Sequence, residues 1–589
     1  MNVSPLGCKT DLVSMKVHLD DKAMPDDYVL ESIQVTREVN RLGTARIVLS
    51  DGSPSKEKFE ISAADNMAPG VPLEIKMGYH QDTASVFKGI IVKHGVRMRG
   101  QGRAQLVLTC TDSAVKLTAS RKSAVYRGQT ETAIWQELLE AHGLTLAQDE
   151  GAAAGADGAA AGAEAAAPPD LVRYYSSDWD FMLTRAEAGG QVLLVDDTEV
   201  AIAAPVQADN SCGLVVTYGE SMIAFDAEMD ARNQLSSVSA SGWGIADQKA
   251  LSEASGEEAA GPNVRGYISG KELSAIMHKE PFGLMSAAPL DSADLQAWAD
   301  AQLLKSRLAR VCGTVRFQGN ALAVPGKTIE LAGLGGRFNG EVYIARVEHT
   351  LEHGNWVTEV GFGLSPRWFA AANAQAQAPA ASALLPAAQG LQIGTVLQIE
   401  SDPQSQLRVR VNLPMLDGDG HGVWARLGTP YATDQGGLFF MPELNDEVVV
   451  GFLGNDPRYP MVLGSLYSST RQFTQVQDVP NTYKGIVTKG GLTVLLEDVK
   501  KIVTVSTPGG HSVVMDDDQQ SITISDYNQN TLTMSKDGVA LFSKTKLTIT
   551  AEEDIEITAT KALTMSGSSS AGLSSDGVVT IQGSEVKVN

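Results

Sequence analysis

The chain has 589 residues, more than one domain holds, and divides into about three to five units at roughly 100–200 residues each. It is 43% hydrophobic and 20% charged, as globular proteins are, yet 47 Lys and Arg against 70 Asp and Glu leave a formal charge of −23. That excess excludes the basic footprints needed to wrap nucleic acid or dock on anionic lipid.

The opening MNVSPLGCKTDLVSMKVHLDD has no basic region followed by an apolar one, so no Sec-type signal is expected. Residues 12–120 read as strands. LVSMKVHL, YVLESIQVTREV, TARIVLSDG, PLEIKMGY, VFKGIIVKHGV and AQLVLTCTD alternate apolar and polar residues between turn formers. Thr130 opens a helix, TETAIWQELLEAHGL, with Ile134, Leu138 and Leu139 on one face and Gly143 at its end. Residues 151–169 collapse to Ala and Gly, which cannot offset their own ordering entropy, and are read as a flexible insertion.

YYSSDWDFMLTRAEAGGQVLLVDD then gives a short helix stopped by Gly189-Gly190 and a strand. In DSADLQAWADAQLLKSRLARVCG, Leu295, Trp298, Ala299, Leu303 and Leu308 form the best helical stripe of the chain. Strand pairs return up to GEVYIARVEHTLEHGNWVTEVGFGL. The stretch from Trp368 to Ile399 is uncharged but built from Ala, Gln and Asn with Pro379 and Pro386, so it reads as a linker and not a membrane span. About 80 residues of short strands and glycine turns follow, the pattern of a small closed barrel. Cys8, Cys110, Cys212 and Cys312 are spaced for neither zinc nor a disulfide framework and read as buried free thiols from a reducing cytoplasm.

Beyond residue 500 the chain is rich in Ser and Thr and short apolar-polar-apolar triplets recur every eight residues: Val539-Leu541, Leu547-Ile549, Ile555-Ile557, Leu563-Met565, Ala571-Leu573, Val579-Ile581. A fixed short period means stacked rungs. Each triplet offers two small apolar groups, too few to bury alone. Three identical chains wound about one axis satisfy this most simply, which makes Val539, Leu541, Leu547, Ile549, Ile555, Ile557, Leu563, Met565, Val579 and Ile581 the expected trimer core. A single-chain solenoid is the rival, although its coils need roughly 20 or more residues per turn.

Several motifs resemble chemistry. His349-Thr-Leu-Glu352-His353 matches H-x-x-E-H, but its flanks are strand text, and a strand sets the two histidines about 13 Å apart at ~3.3 Å per residue. Asp417-Gly-Asp419-Gly-His421 opens like a calcium loop but has Gly428 where the bidentate Glu belongs. Gly333 to Gly340 follows a strand and leads to another, so no helix N-terminus receives a phosphate. Gly219-Glu-Ser221 fails the nucleophile elbow, and Asp516-Asp517-Asp518 reads as a solvated turn. Arg408, Arg410 and Arg426 are scattered among acids, which suits a joint better than a nucleic-acid groove. No catalytic residue, cofactor or metal is expected.

GTVLQIESDPQSQLRVRVNLP, VWARLGTPYA and GGLFFMPELNDEVVVGFLGNDPRYPMVLGSLYSS resemble, almost phrase by phrase, the OB barrel of the VgrG spikes of type VI secretion and of related contractile injection particles and phage tails. SSDWDFMLTRAEAGGQVLLVDD is similar to a motif of the same family, and VVTIQGSEVKVN to its last rungs. The resemblance implies a mainly β homotrimer. Its parts would be a hub of paired β-barrel-like domains with a few helices over 1–370, the linker at 371–388, an OB-fold collar at 389–470, a connector at 471–500 and an intertwined triple-stranded β-helix needle at 501–589. It also implies an inner tube protein, baseplate proteins, effector cargo and a PAAR-type tip protein touching Val586, Val588 and Asn589 as partners. Assembly would be in the bacterial cytoplasm, with expulsion on firing and only transient contact with a target membrane. The enzymatic alternative, a tail-hub peptidoglycan hydrolase, needs about 150 residues between collar and needle, where only Thr470 to Val499 lie. A secreted β-solenoid adhesin lacks its signal. Glycine is sparser in the rungs than in many family needles.

Overall fold

The computed structural model describes all residues except 1, 8–9, 54, 56, 100–102, 148–169, 206–209, 246, 257–267, 278–279, 417, 476 and 589. The expected insertion at 151–169, Cys8, Asp417 and Asn589 lie outside the described residues. The chain divides into two compact units, Met1–Gln389 with Gly454–Pro457, and Gly390–Leu453 with Arg458–Asn589.

The first unit begins with β1 (Val13–Leu19), β2 (Lys22–Ala23), β3 (Leu30–Glu38), β4 (Thr44–Ser50), β5 (Pro72–Tyr79), β6 (Asp82–Arg99) and β7 (Arg103–Thr111). They pair in the order β3-β4-β7-β6-β5-β1-β2. Alternation drives this lobe, as expected. On β3, Ile33 and Val35 are fully buried and Gln34 between them is exposed; on β5, Leu73, Ile75 and Met77 point into the same core.

A helical layer follows: β8 (Arg121–Tyr126), α1 (Glu131–Glu140), β9 (Thr145–Leu146), β10 (Leu171–Ser177), α2 (Asp178–Ala188), β11 (Val192–Asp196) and β12 (Glu199–Ala203). Thr130 caps α1 by accepting from Ala133 N at 3.3 Å, and Gly143 takes the left-handed conformation (φ +71°) just past its end. Ser177 caps α2 in the same way from Asp180 N at 3.0 Å. Ile134, Leu138 and Leu139 of α1 and Trp179, Phe181, Met182 and Leu183 of α2 share one core.

The second lobe comprises β13 (Ser211–Thr217), β14 (Met222–Met229), β15 (Val238–Gly244), β16 (Lys249–Ala254), α3 (Gly270–Met277), β17 (Phe282–Met285), α4 (Ser292–Leu308), β18 (Val311–Gln318), β19 (Thr328–Ala332), β20 (Gly340–Glu352) and β21 (Asn355–Phe362). β20 pairs with β3 from Arg346↔Glu38 to Glu352↔Ser32, which fuses both lobes into one 13-stranded sheet among the described residues. Each lobe keeps its own core, the second around Val315, Phe317, Ile329 and Val360. The paired β hub expected from the sequence takes this form. α4 buries Leu295, Ala299, Leu303 and Leu308 of its predicted stripe, with Trp298 half-buried against the β15 layer. The residues 371–388, read as a linker, are packed against the first unit. α5 (Phe369–Ala372) is tied by Phe369 N donating to Glu187 Oε2 at 2.6 Å, Ala376 and Ala381 are buried, and the Arg121 guanidinium donates to the carbonyls of Gln375 and Gln377. Alanine's short side chain lets this backbone lie close on the unit despite its unpatterned text.

In the second unit, β22 (Gln392–Gln398), β23 (Val409–Asn412), β24 (Val423–Leu427), the small hairpin β25 (Ala432–Thr433) and β26 (Gly436–Gly437), β27 (Glu447–Phe452) and β28 (Pro460–Ser465) follow in chain order. All but the hairpin close a five-stranded barrel, β22-β23-β24-β28-β27, around Val396, Val409, Val411, Ala425, Val448, Val450 and Val462. Seven further strands form an antiparallel meander: β29 (Tyr483–Val487), β30 (Thr493–Glu497), β31 (Ile502–Ser506), β32 (Ser512–Asp516), β33 (Ser521–Ser525), β34 (Thr531–Ser535) and β35 (Gly538–Phe542). Its first two strands fall in the stretch read as a connector. No strand follows β35 among the described residues, and 547–588 are exposed throughout.

Candidate functional site

Apart from the calcium-like loop, whose Asp417 lies outside the described residues, the motifs that resemble chemistry have structural places. His349 lies on β20, 3% exposed, with Nδ1 2.9 Å from Thr358 Oγ1 and its ring 5.7 Å from that of Trp356. Glu352 ends the same strand in solvent, and His353 sits exposed in the turn that follows, at φ +51°. The Gly333–Gly340 segment is the β19–β20 hairpin, Ser221 is buried in the β13–β14 turn accepting from Thr217 N at 3.0 Å, and Asp516 to Asp518 lead from β32 into its turn with β33. Among the described residues no group of three His, Cys, Asp or Glu could hold a metal ion. Arg408 is occupied by Asp402, with Nε and Nη2 at 3.0 and 2.6 Å from Oδ1, and lies 5.9 Å over Trp424. Cys110 and Cys212 are buried and Cys312 half-buried; burial pushes the Cys110 thiol up to about 12 and Cys312 to about 11.

His349 does carry one consequence. Burial, with Arg37 acting in the same direction, holds its imidazole down to about 3 from the usual 6.5. The unfolded chain takes up a proton below about 6.5 that the folded chain refuses, so this group costs stability as pH falls from about 6.5 toward 3. Asp112, pushed by burial up to about 7, works in the opposite sense, favouring the fold as pH falls from about 7 to 4. His349→Gln isolates the first effect. The stability advantage of wild type over the variant should shrink by up to ~1.4 kcal/mol per pH unit below 6.5 in urea titrations. A difference independent of pH would refute it.

What the second unit does present is a partly exposed apolar sheet face. Val494 and Leu496 on β30 stand opposite Val505 and Val503 on β31. The same two columns continue through Val513 and Met515, Ile524 and Ile522, Leu532 and Met534, to Leu541 and Val539. The opposite face of the central strands carries Thr504, Val514, Thr523, Thr533 and Ala540 between flanking serines. Val494, Leu496, Val505, Met515, Ile522, Ile524 and Met534 are each 39–43% exposed, and Val539 and Leu541 are 72% and 56% exposed. A groove of about 540 Å³ runs along Val505, Val513, Ile524, Leu532 and Leu541, and Leu547 reaches it. Burying the open parts of these twelve side chains is worth about 1 kcal/mol each, roughly 10 kcal/mol per chain.

The predicted core residues sit at the end of this face and beyond it. Val539 and Leu541 belong to β35; Leu547, Ile549, Ile555, Ile557, Leu563, Met565, Val579 and Ile581 follow in the tract without strands, 44–71% exposed. The ten residues of the face before Val539 were missed. A different repeat holds them: TKGGLTVLLEDVKKIVTVS, TPGGHSVVMDDDQQSITIS and DYNQNTLTMSKDGVALFS start at 488, 507 and 526. Each gives a hairpin loop and two strands, and the loops place Gly491, Gly510 and Gln529 at the same left-handed position, φ +82°, +85° and +68°. That 19-residue spacing was the available signal.

Residues 392–467, which include the whole barrel, match the type VI secretion system/phage-baseplate injector OB domain. Among solved structures, the tail protein from Neisseria meningitidis MC58 is similar over 60% of this chain and 98% of its own, at 14% identity and a TM-score of 0.43. The prophage MuSo2 43 kDa tail protein from Shewanella oneidensis gives the same coverage at 11% identity and 0.42. The E. coli c3393 protein, a component of the type VI secretion system, is similar over 77% of this chain and 100% of its own, at 12% identity and 0.35. Residues 9–353, more than half of the chain, match the Alg8 N-terminal domain. The chain belongs to the Alg8 N-terminal domain family and carries, behind that domain, a barrel that matches the injector OB domain.

Proposed function

We propose that three copies of this chain form the spike at the baseplate of a contractile injection system, joining the inner tube to a tip and piercing the target envelope when the sheath contracts. The observation that carries this reading is the two-column apolar face of β30–β35, continued in the same apolar-x-apolar text to Ile581. A strip two side chains wide is too narrow to be the half of a sandwich. Three such strips around one axis enclose a dry core with every polar face outward. The injector OB domain directly before it supports the setting.

In this reading 1–370 is the hub that meets the tube, 389–470 the collar and the meander with the octad tract the needle. Val586 and Val588, 55% and 90% exposed, together with Asn589 would meet a PAAR-type tip protein. Effector cargo and other baseplate proteins are the remaining partners, and the protein acts mechanically, with no reaction of its own. It would assemble in the cytoplasm and leave on firing. Among the described residues no helix is long and apolar enough to cross a membrane.

Light scattering on the purified chain tests the assembly. The expected mass is three times the 62.3 kDa of one chain, with the hydrogen exchange of 494–541 slowed. A stable monomer with those amides exchanging freely would sink the reading.

A further inference from the structure

We infer that the three chains meet first through the meander, and that the octad tract orders only afterwards on the trimer the meander has made. This rests on the trimeric reading above and adds to it which surface recognises the second copy and in what order. The meander pairs all seven of its strands without a partner and leaves open only the outer edges of β29 and β35. Each of its strands pairs with the next in sequence, six times in succession, through loops of a few residues. Contacts that local close fast and at little entropic cost. What one chain leaves undone is the apolar strip, and only another apolar strip can cover it without burying charge.

The octad tract stands differently. Between its first triplets lie Ala551-Glu552-Glu553 and Ala559-Thr560-Lys561, which have none of the Gly or Asn that tight hairpins use; Gly567 and Gly577 come only further on. Among the described residues it forms no strand in the single chain, so once buried in a needle its backbone would pair with other chains. At the junction, Asn530 Oδ1 accepts from Ser543 Oγ and Lys544 N at 3.1 and 3.0 Å. Asn530 is itself held by Asp526, with its backbone N and Nδ2 each donating at 2.8 Å. The chain leaving β35 is thereby led toward the strip, and Leu547, the first triplet residue beyond β35, already lines its groove. A register set by preformed sheets would spare the tract from finding one among near-identical rungs.

Full-length Ile524→Asp, Thr523→Asp and Ile555→Asp test the order, read by light scattering and by detergent-resistant trimer on unheated gels. Ile524 lies on the strip and Thr523 on the polar face of the same strand, so the second controls for damage to the strand itself. The expected result is a monomer for Ile524→Asp and a trimer for Thr523→Asp. Ile555→Asp should be a trimer in solution that loses detergent resistance. A trimeric Ile524→Asp, a monomeric Thr523→Asp or a monomeric Ile555→Asp would each overturn the inference while leaving a trimeric wild type, and so the spike reading, intact. A monomeric wild type whose strip its own octad tract covers would instead remove the reading on which the inference rests.

Discussion

Arg173→Met is expected to destabilise the first unit by about 3–5 kcal/mol, read as a lower denaturant midpoint. The Arg173 side chain is 1% exposed and ion-pairs with Asp178 Oδ1, itself 2% exposed. Its Nε and Nη2 donate to the Ser176 carbonyl at 3.2 and 2.6 Å, and its guanidinium carbon lies 5.8 Å from the Phe181 ring centre. One side chain thus satisfies the bulged end of β10 and the first residue of α2. Removing it leaves a carboxylate buried with only His142 Nε2, at 2.9 Å, and the start of the helix for company. Met fills similar volume, so the loss is electrostatic and not a cavity. Arg173→Met with Asp178→Leu should therefore recover much of the stability, since an apolar pair replaces the buried ions without leaving one unpaired. A single variant within about 1 kcal/mol of wild type would show that the ion pair only breaks even.

That pair could not be found by reading. The five-residue spacing from Arg173 to Asp178 matches no helix or strand period. It works because the β10–β8 register slips between Arg173 and Ser176, with Tyr175 at φ +38°, which turns the arginine back on its own chain. The strands of the first lobe were legible for the opposite reason. In β3 and β5 the buried apolar side chains, Ile33 and Val35, then Leu73, Ile75 and Met77, are each two from the next, so text and fold share one period. α4 was legible by its stripe, whereas α3, GKELSAIM, is too short to show one. The octad text is regular, while the meander before it alternates loops of five and four residues as far as β34 and needs a 19-residue window to appear periodic. The apolar face was therefore read from Val539 onward, although it begins at Val494.

The register of the two lobes rests on a contact equally invisible in the sequence. Trp356 is carried by β21, a strand of the second lobe, yet its ring is buried in the first lobe's core, 5.4 Å from Tyr79. Gly319 lies against that ring. Its N–H donates to Trp356 O at 2.9 Å and its carbonyl accepts from Tyr79 Oη at 2.9 Å. A Cβ there would stand 2.1 Å from Trp356 Cδ2 and 2.3 Å from Cγ. Gly319 is not among the residues with positive φ, so its backbone would accept alanine and only the collision opposes it. Gly319→Ala should cost about 3 kcal/mol, the upper range for overpacking, because a flat ring walled by Tyr79 and His349 has no rotamer to retreat into. Trp356→Leu should also cost about 3 kcal/mol, through the cavity it leaves. The double variant places the new methyl in that cavity, so its cost should fall short of the sum by about 2 kcal/mol. Denaturant titrations of all four proteins measure this directly. Additive costs would mean that the glycine and the tryptophan stabilise the joint between the lobes independently, and the close approach would then not be what fixes it.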